Sequence, residues 1–191
     1  MKKSLLALAA SAALLSATPA FANNNLGSTY VTLNVQTGVK NTLLDDHSQG
    51  VYGLFADYNF ALAKDFYIGG EFAYNHGSKR LSAFNNRRVS DDNFNLGFQT
   101  KYLFANDSAF TPFVGGGLGY NYSHFSGFGG TENASGIYGQ LQAGTTYGDH
   151  LQAGLRYQVN NLSSNFRDNF SNRDLVNKAQ HSLTVFVGFV Y

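Results

Sequence analysis

In the stretch "SHFSG", His124 and Ser126 stand two residues apart, the nearest this sequence comes to a base beside a nucleophile. On a β-strand, positions i and i+2 share a face, so an imidazole could reach the hydroxyl proton, with Glu132 as a third member. A triad is defined by geometry, however, and this segment falls where alternation frays into a loop, so we expect no enzyme. The glycines of "VGGGLG" (114–119) would cradle phosphate only if they led into a helix N-terminus, and alternation runs straight on through them. Gly115, Gly117 and Gly119 read instead as inward strand positions that leave room for bulky neighbours such as Tyr138. Cysteine is absent, which removes thiolate nucleophiles, disulfides and Cys-based zinc sites together. The histidines are scattered, and the expectation is no metal and no cofactor.

Charge is the other chemistry on offer. Asp57, Glu71, Lys101 and Arg156 interrupt segments that otherwise alternate between apolar and neutral polar residues. Lys79, Arg80, Arg87 and Arg88 concentrate in "GSKRLSAFNNRRVSDD" (77–92), with Leu81, Phe84 and Val89 interleaved, while 41–50 carries Asp45 and Asp46. Arginine suits phosphate or sulfate through its planar fork. Over the chain Lys+Arg 13 stand against Asp+Glu 12; without Lys2 and Lys3 of the leader the balance is 11 − 12 = −1. Global charge therefore points neither to nucleic acid nor to an acidic substrate.

The elements that must position these residues are strands. Alternation recurs at about 28–40, 51–60, 66–76, 93–104, 110–122, 137–147, 151–159 and 180–191, and no window keeps helical period for long. Between these eight strands the connections at 61–65, 105–109 and 148–150 are short, while 41–50, 77–92, 123–136 and 160–179 are long and polar. Long and short alternate, as in an up-and-down sheet with tight turns at one end and loops at the other. The faces agree: Val31, Leu33, Val35 and Val39 oppose Thr32, Asn34, Gln36 and Gly38, and Phe66, Ile68, Phe72 and Tyr74 oppose Tyr67, Glu71 and Asn75. Tyr52, Leu54, Ala56, Tyr58 and Phe60 likewise oppose Gly53, Phe55, Asp57 and Asn59. All four lone charges fall on the more polar phase.

The apolar phase is written for hydrocarbon. In "HSLTVFVGFVY" (181–191) Leu183, Val185, Val187 and Phe189 share one face, which water would solvate poorly; Phe186 and Val190, on the other phase, fit less well. Outward aromatics also sort by height. Tyr58, Phe60, Phe66, Tyr102, Phe104, Phe110, Tyr147 and Tyr191 fall at the turn end, and Tyr52, Tyr74, Phe94, Tyr120, Tyr122 and Tyr157 at the loop end, as two bilayer interfaces require. A sheet in lipid must have no edge, so the last strand is expected to pair with the first. The opening "MKKSLLALAASAALLSATPAFA" has a basic start, an apolar run too short to span as a helix, and small residues at Ala20 and Ala22. We expect residues 1–22 to be a cleaved signal peptide and 23–191 to form one barrel domain.

The leader ending "AFA", the segment "FTPFVGGGLGY" (110–120), the pair "GQLQAGTTYGDHLQAGLRYQV" (139–159) and the alternating terminus ending in Tyr191 carry a family likeness. Over its mature length the chain resembles the small outer-membrane β-barrels of Gram-negative bacteria, the OmpX, opacity-protein and OmpA-barrel type grouped as porin-like. The resemblance implies an all-β, eight-stranded transmembrane barrel with short periplasmic turns and long extracellular loops. It implies that the barrel-assembly machinery reads the last strand, with Phe189 and Tyr191 as the signal, and that Glu71, Lys101 and Arg156 match an internal ion-pair network in which Asp57 is a static fourth charge. It implies a monomeric, non-enzymatic protein with a mostly filled lumen, whose loops serve interaction, adhesion or envelope integrity. The partners expected are outer-membrane lipid, lipopolysaccharide at the basic loop, and host or surface polyanions. A narrow porin-like channel is the alternative; a lipid A-modifying hydrolase is the lesser one, since "HFS" resembles the His-X-Ser motif of lipid A deacylases but Gly127 stands where that family has Asn.

Overall fold

Strand backbones need partners, and among the described residues every strand is paired on both sides. The computed structural model describes residues 27–41, 48–81, 87–127, 131–148, 150–163 and 179–191; the leader and Asp45 and Asp46 lie outside them. Among the described residues run β1 (Thr29–Asn41), β2 (Ser48–Ala63), β3 (Phe66–Leu81), β4 (Arg87–Leu103), β5 (Phe110–Ser126), β6 (Thr131–Tyr147), β7 (Leu151–Ser163) and β8 (Ala179–Val190). They form one closed antiparallel barrel in sequence order, as the alternation predicts.

β8 closes on β1 from Thr32↔Val190 to Lys40↔Ser182, and the backbones of Val31 and Tyr191 exchange two hydrogen bonds of 2.8 Å. The strands are tilted, and the register shows by how much. Pairs followed from Tyr30 through Asn59, Gly69, Gln99, Gly117, Gln140, Gln158 and Ser182 return to β1 at Lys40, ten residues beyond the start (40 − 30). Eight strands at this stagger leave an interior that side chains can fill.

The strands run further toward the loop end than their composition suggests. Most of 77–92 is strand, as are 123–126, 131–136 and 160–163, because polar residues there still pair across hairpins. At the other end the turns are tight: Asp65 takes a positive φ of 62° and Gly148 one of 54°, conformations that Asp tolerates and Gly adopts freely.

Residue faces follow the predicted phase. Tyr58, Phe60, Tyr102, Phe104, Phe110 and Tyr147 are exposed at the turn end and Tyr52, Phe94, Tyr120, Tyr122 and Tyr157 at the loop end, with Leu96, Phe98, Leu118 and Leu141 between them. Inside, the turn end is plugged by an apolar cluster of Tyr30, Phe55, Ala61, Tyr67, Leu103, Phe113, Phe186 and Val190. Phe186 and Val190, awkward in the sequence pattern, belong to this plug; Phe186 meets Phe55 edge-on at 5.2 Å between ring centroids.

Candidate functional site

Among and above these rings the lumen is polar, and on β2 Phe55 lies two residues nearer the loop end than Asp57. Asp57 and Glu71 are Cα partners on β2 and β3, so two acids stand side by side on the inner face and need cations from elsewhere. Arg156 supplies one from β7, its Nη2 hydrogen-bonded to Glu71 Oε2 and its Nη1 3.4 Å from Oε1. Lys101 supplies the other from β4, with Nζ 3.8 Å from Asp57 Oδ2. The four charges singled out in the sequence thus meet in the lumen, each at most 2 % exposed.

Neutral donors add to the shell. Gln140 Nε2 donates to Glu71 Oε2 at 2.7 Å and Tyr138 Oη to Oε1 at 3.3 Å, so β6 contributes donors in place of an acid. Thr32 Oγ1 donates to Asp57 at 2.9 Å. Rings complement both cations: the Arg156 guanidinium lies 3.6 Å from the Phe55 centroid, and Lys101 Nζ 4.9 Å from that of Phe113. Amide contacts such as Gln36 to Asn75 at 2.6 Å and Gln142 to Gln99 at 2.8 Å link strands one removed from each other.

A second ion pair closes the lumen nearer the loop end. Lys40 Nζ lies 2.7 Å from Asp91 Oδ2, both side chains 3 % exposed, and Asp91 also accepts hydrogen bonds from Gln180, at 3.1 Å, and from Asn93. Between the two levels a polar cavity bordered by Lys40, Arg156, Gln36, Asn75 and Gln158 has room for about one water molecule. The sequence reading missed this pair because it placed Asp91 in a loop. The signal was there, since Asp91, Asn93 and Asn95 keep the inner phase of β4 without a break. Lys40→Ala is expected to cost about 1–3 kcal/mol in urea unfolding, less than loss of Arg156, because Asp91 keeps donors from Asn93 and Gln180 and its register partners are Gly77 and Phe125, whereas Glu71 stands opposite a second carboxylate, Asp57. A loss equal to that of Arg156→Ala would show that the second carboxylate does not set the difference.

The residues first considered for catalysis sit on the outward phase near the top of β5. His124 Nδ1 hydrogen-bonds to Asn133 Oδ1 at 2.7 Å and Ser126 Oγ to Ser90 Oγ at 2.6 Å, so each is engaged across strands. The residue opposite His124 in register is Asn133, and Glu132 stands opposite Phe125. On the neighbouring strands Asp92 accepts from Tyr74 Oη at 2.6 Å and lies 2.8 Å from His76 Nδ1.

The basic group is not a loop. Lys79 and Arg80 lie in β3 and Arg87 and Arg88 in β4, with Arg80↔Arg88 and Leu81↔Arg87 as Cα partners. Cross-strand pairing carries both strands through this stretch despite its polar composition, which is why composition alone suggested a loop. Arg88 is exposed and donates from Nη2 to Ser78 Oγ at 3.0 Å. At the closing seam Phe189 faces outward, and its ring centroid lies 6.3 Å from that of Tyr191.

Comparison with known proteins agrees with this geometry. The profile of the outer membrane protein beta-barrel domain matches residues 7–189. Neisserial surface protein A superposes with a TM-score of 0.57 at 17% identity, over 84% of this chain and 96% of its own. The attachment invasion locus protein Ail of Yersinia pestis, solved with the heparin analogue sucrose octasulfate, gives 0.53 at 10% identity over 87% of this chain and 100% of its own. The outer membrane enzyme PagL gives 0.57 at 15% identity, over 82% and 97%. No curated protein matches the chain in sequence.

Proposed function

The chain belongs to the outer-membrane protein β-barrel family, and from that premise we propose that it is a non-enzymatic interaction protein. Its closed barrel anchors extracellular β-hairpins, and the basic β3–β4 hairpin engages phosphorylated or sulfated polyanions. The observation that carries this reading is the Arg80↔Arg88 pair. Like charges directly opposite on a sheet destabilise it, and a bound anion relieves the repulsion. Lipopolysaccharide of the same membrane is the nearest such anion. Adhesion to host polyanions draws support from Ail, a similar fold solved with a sulfated sugar. Against a diffusion pore stand the apolar plug and the two ion-pair levels. Against a lipid A hydrolase stand the separate partners of His124 and Ser126.

The test is binding of refolded protein to heparin and to lipopolysaccharide across a salt series, beside a variant with Lys79, Arg80, Arg87 and Arg88 all changed to Gln. Wild-type binding is expected to weaken with salt, and the variant to stay folded while binding at least about tenfold more weakly. Salt-insensitive binding, or none, would remove the hairpin from the function. A large steady conductance in a planar bilayer would replace the closed barrel with the channel reading.

A further inference from the structure

Resting on the polyanion reading, we propose that the outward flank of β3–β5 docks a phosphorylated, sugar-headed lipid of the outer leaflet, so that the hairpin's partner lies in the protein's own membrane.

Ser78, Ser90, Ser126, His76, Asp92 and His124 occupy the same outward phase as Tyr74, Phe94 and Tyr122, and Arg88 continues it. The polar residues therefore rise directly from the lipid-facing strip rather than over the lumen mouth. In register they form rungs: Tyr74↔Phe94↔Tyr122, then His76↔Asp92↔His124, then Ser78↔Ser90↔Ser126, then Arg80↔Arg88. Below them Leu96, Phe98, Leu118 and Tyr120 are each more than half exposed, a surface for acyl chains.

Height and charge select the head group. Successive rungs are two residues apart, about 7 Å along a strand, which at the tilt of such barrels is about 5 Å of height. The phosphate of a simple phospholipid lies beside the aromatic rung, close to Asp92, where a carboxylate repels it. Asp92, His76, His124 and Asn133 suit sugar hydroxyls instead. Cationic charge enters one rung higher, where the Arg88 guanidinium reaches back to Ser78 at 3.0 Å and the Ser90 and Ser126 hydroxyls meet at 2.6 Å. A phosphate carried on a sugar spacer reaches that level, roughly 10 Å above the aromatic rung. On the far flank the outward residues Tyr157, His181, Leu183 and Val39 lead to no cation among the described residues.

The protein, refolded in zwitterionic micelles, is titrated with a diphosphorylated lipid A-type glycolipid, its dephosphorylated form, phosphatidylglycerol, and soluble heparin, with bound lipid read by native mass spectrometry. The phosphorylated glycolipid is expected to bind at least about tenfold tighter than either lipid control. Arg88→Gln should lower that affinity about tenfold, and Ser90→Ala with Ser126→Ala several-fold, with the thermal midpoint reporting that each variant is folded. Equal binding of phosphatidylglycerol would overturn the rung argument. Glycolipid and heparin binding that both ignore the Ser90/Ser126 change would overturn the flank while leaving the polyanion reading standing; no binding to either polyanion would overturn both.

Discussion

Arg156→Ala is expected to lower stability toward urea by about 3–5 kcal/mol, because removing one partner of a buried pair leaves the other charge uncompensated. The residue left behind is Glu71, 2 % exposed and directly opposite a second carboxylate, Asp57. Gln140 and Tyr138 still donate to Glu71, which holds the loss within that range. The change also strips the guanidinium from the face of Phe55 and empties volume among the lumen charges, so ion leakage through a planar bilayer should rise. Glu71→Gln with Arg156→Gln should recover part of the stability, since neutral amides of similar length require less desolvation. The measurement is a double-mutant cycle in urea: if the two single changes add independently, Glu71 and Arg156 do not act as a network.

Gly119→Val is expected to prevent most of the chain from reaching the folded barrel, whereas Gly116→Val, three residues away, should be tolerated. A Cβ at Gly119 would lie 2.4 Å from the carbonyl oxygen of Leu96 and 2.5 Å from the Cα of Gly97, both backbone atoms of the paired strand, and 2.7 Å from the Tyr138 ring. Neither strand can move without breaking the β4–β5 ladder, and displacing Tyr138 removes a donor from Glu71. Overpacking and the lost hydrogen bond together give roughly 3 kcal/mol or more. At Gly116, on the outward phase, the nearest atom is Cδ2 of Leu141 at 3.3 Å, the end of a side chain free to swing into lipid. Folded fraction by gel mobility of unheated samples separates the cases, and equal yields from the two variants would sink the argument.

That Gly115, Gly117 and Gly119 face inward and leave room for neighbours such as Tyr138 follows from local alternation, but which side chain takes the space at each does not. The structure gives the space at Gly119 to Tyr138, at Gly117 to Gln140 and at Gly115 to Gln142. The lumen charges divide the same way. Asp57, Glu71, Lys101 and Arg156 could be placed inside from their phase alone, because a lipid solvent tolerates no such charge at mid-height on the other face. That Arg156 reaches Glu71 across the barrel, while Lys101 takes Asp57, depends on the stagger that carries Tyr30 to Lys40 in one circuit.

Strand number, the in-and-out phase, the two aromatic belts and the closing role of β8 were determined by the sequence itself, since each rests on a period of two read against a solvent that changes with height. The Lys40–Asp91 level, the hairpin that makes Arg80 and Arg88 partners, and the apolar plug that absorbs Phe186 and Val190 were decided only by the tertiary structure. The physical reason is range. A face is a property of neighbours along one strand, whereas a partner is a property of register and shear, which emerge only when eight strands close and every backbone group must be paired at once.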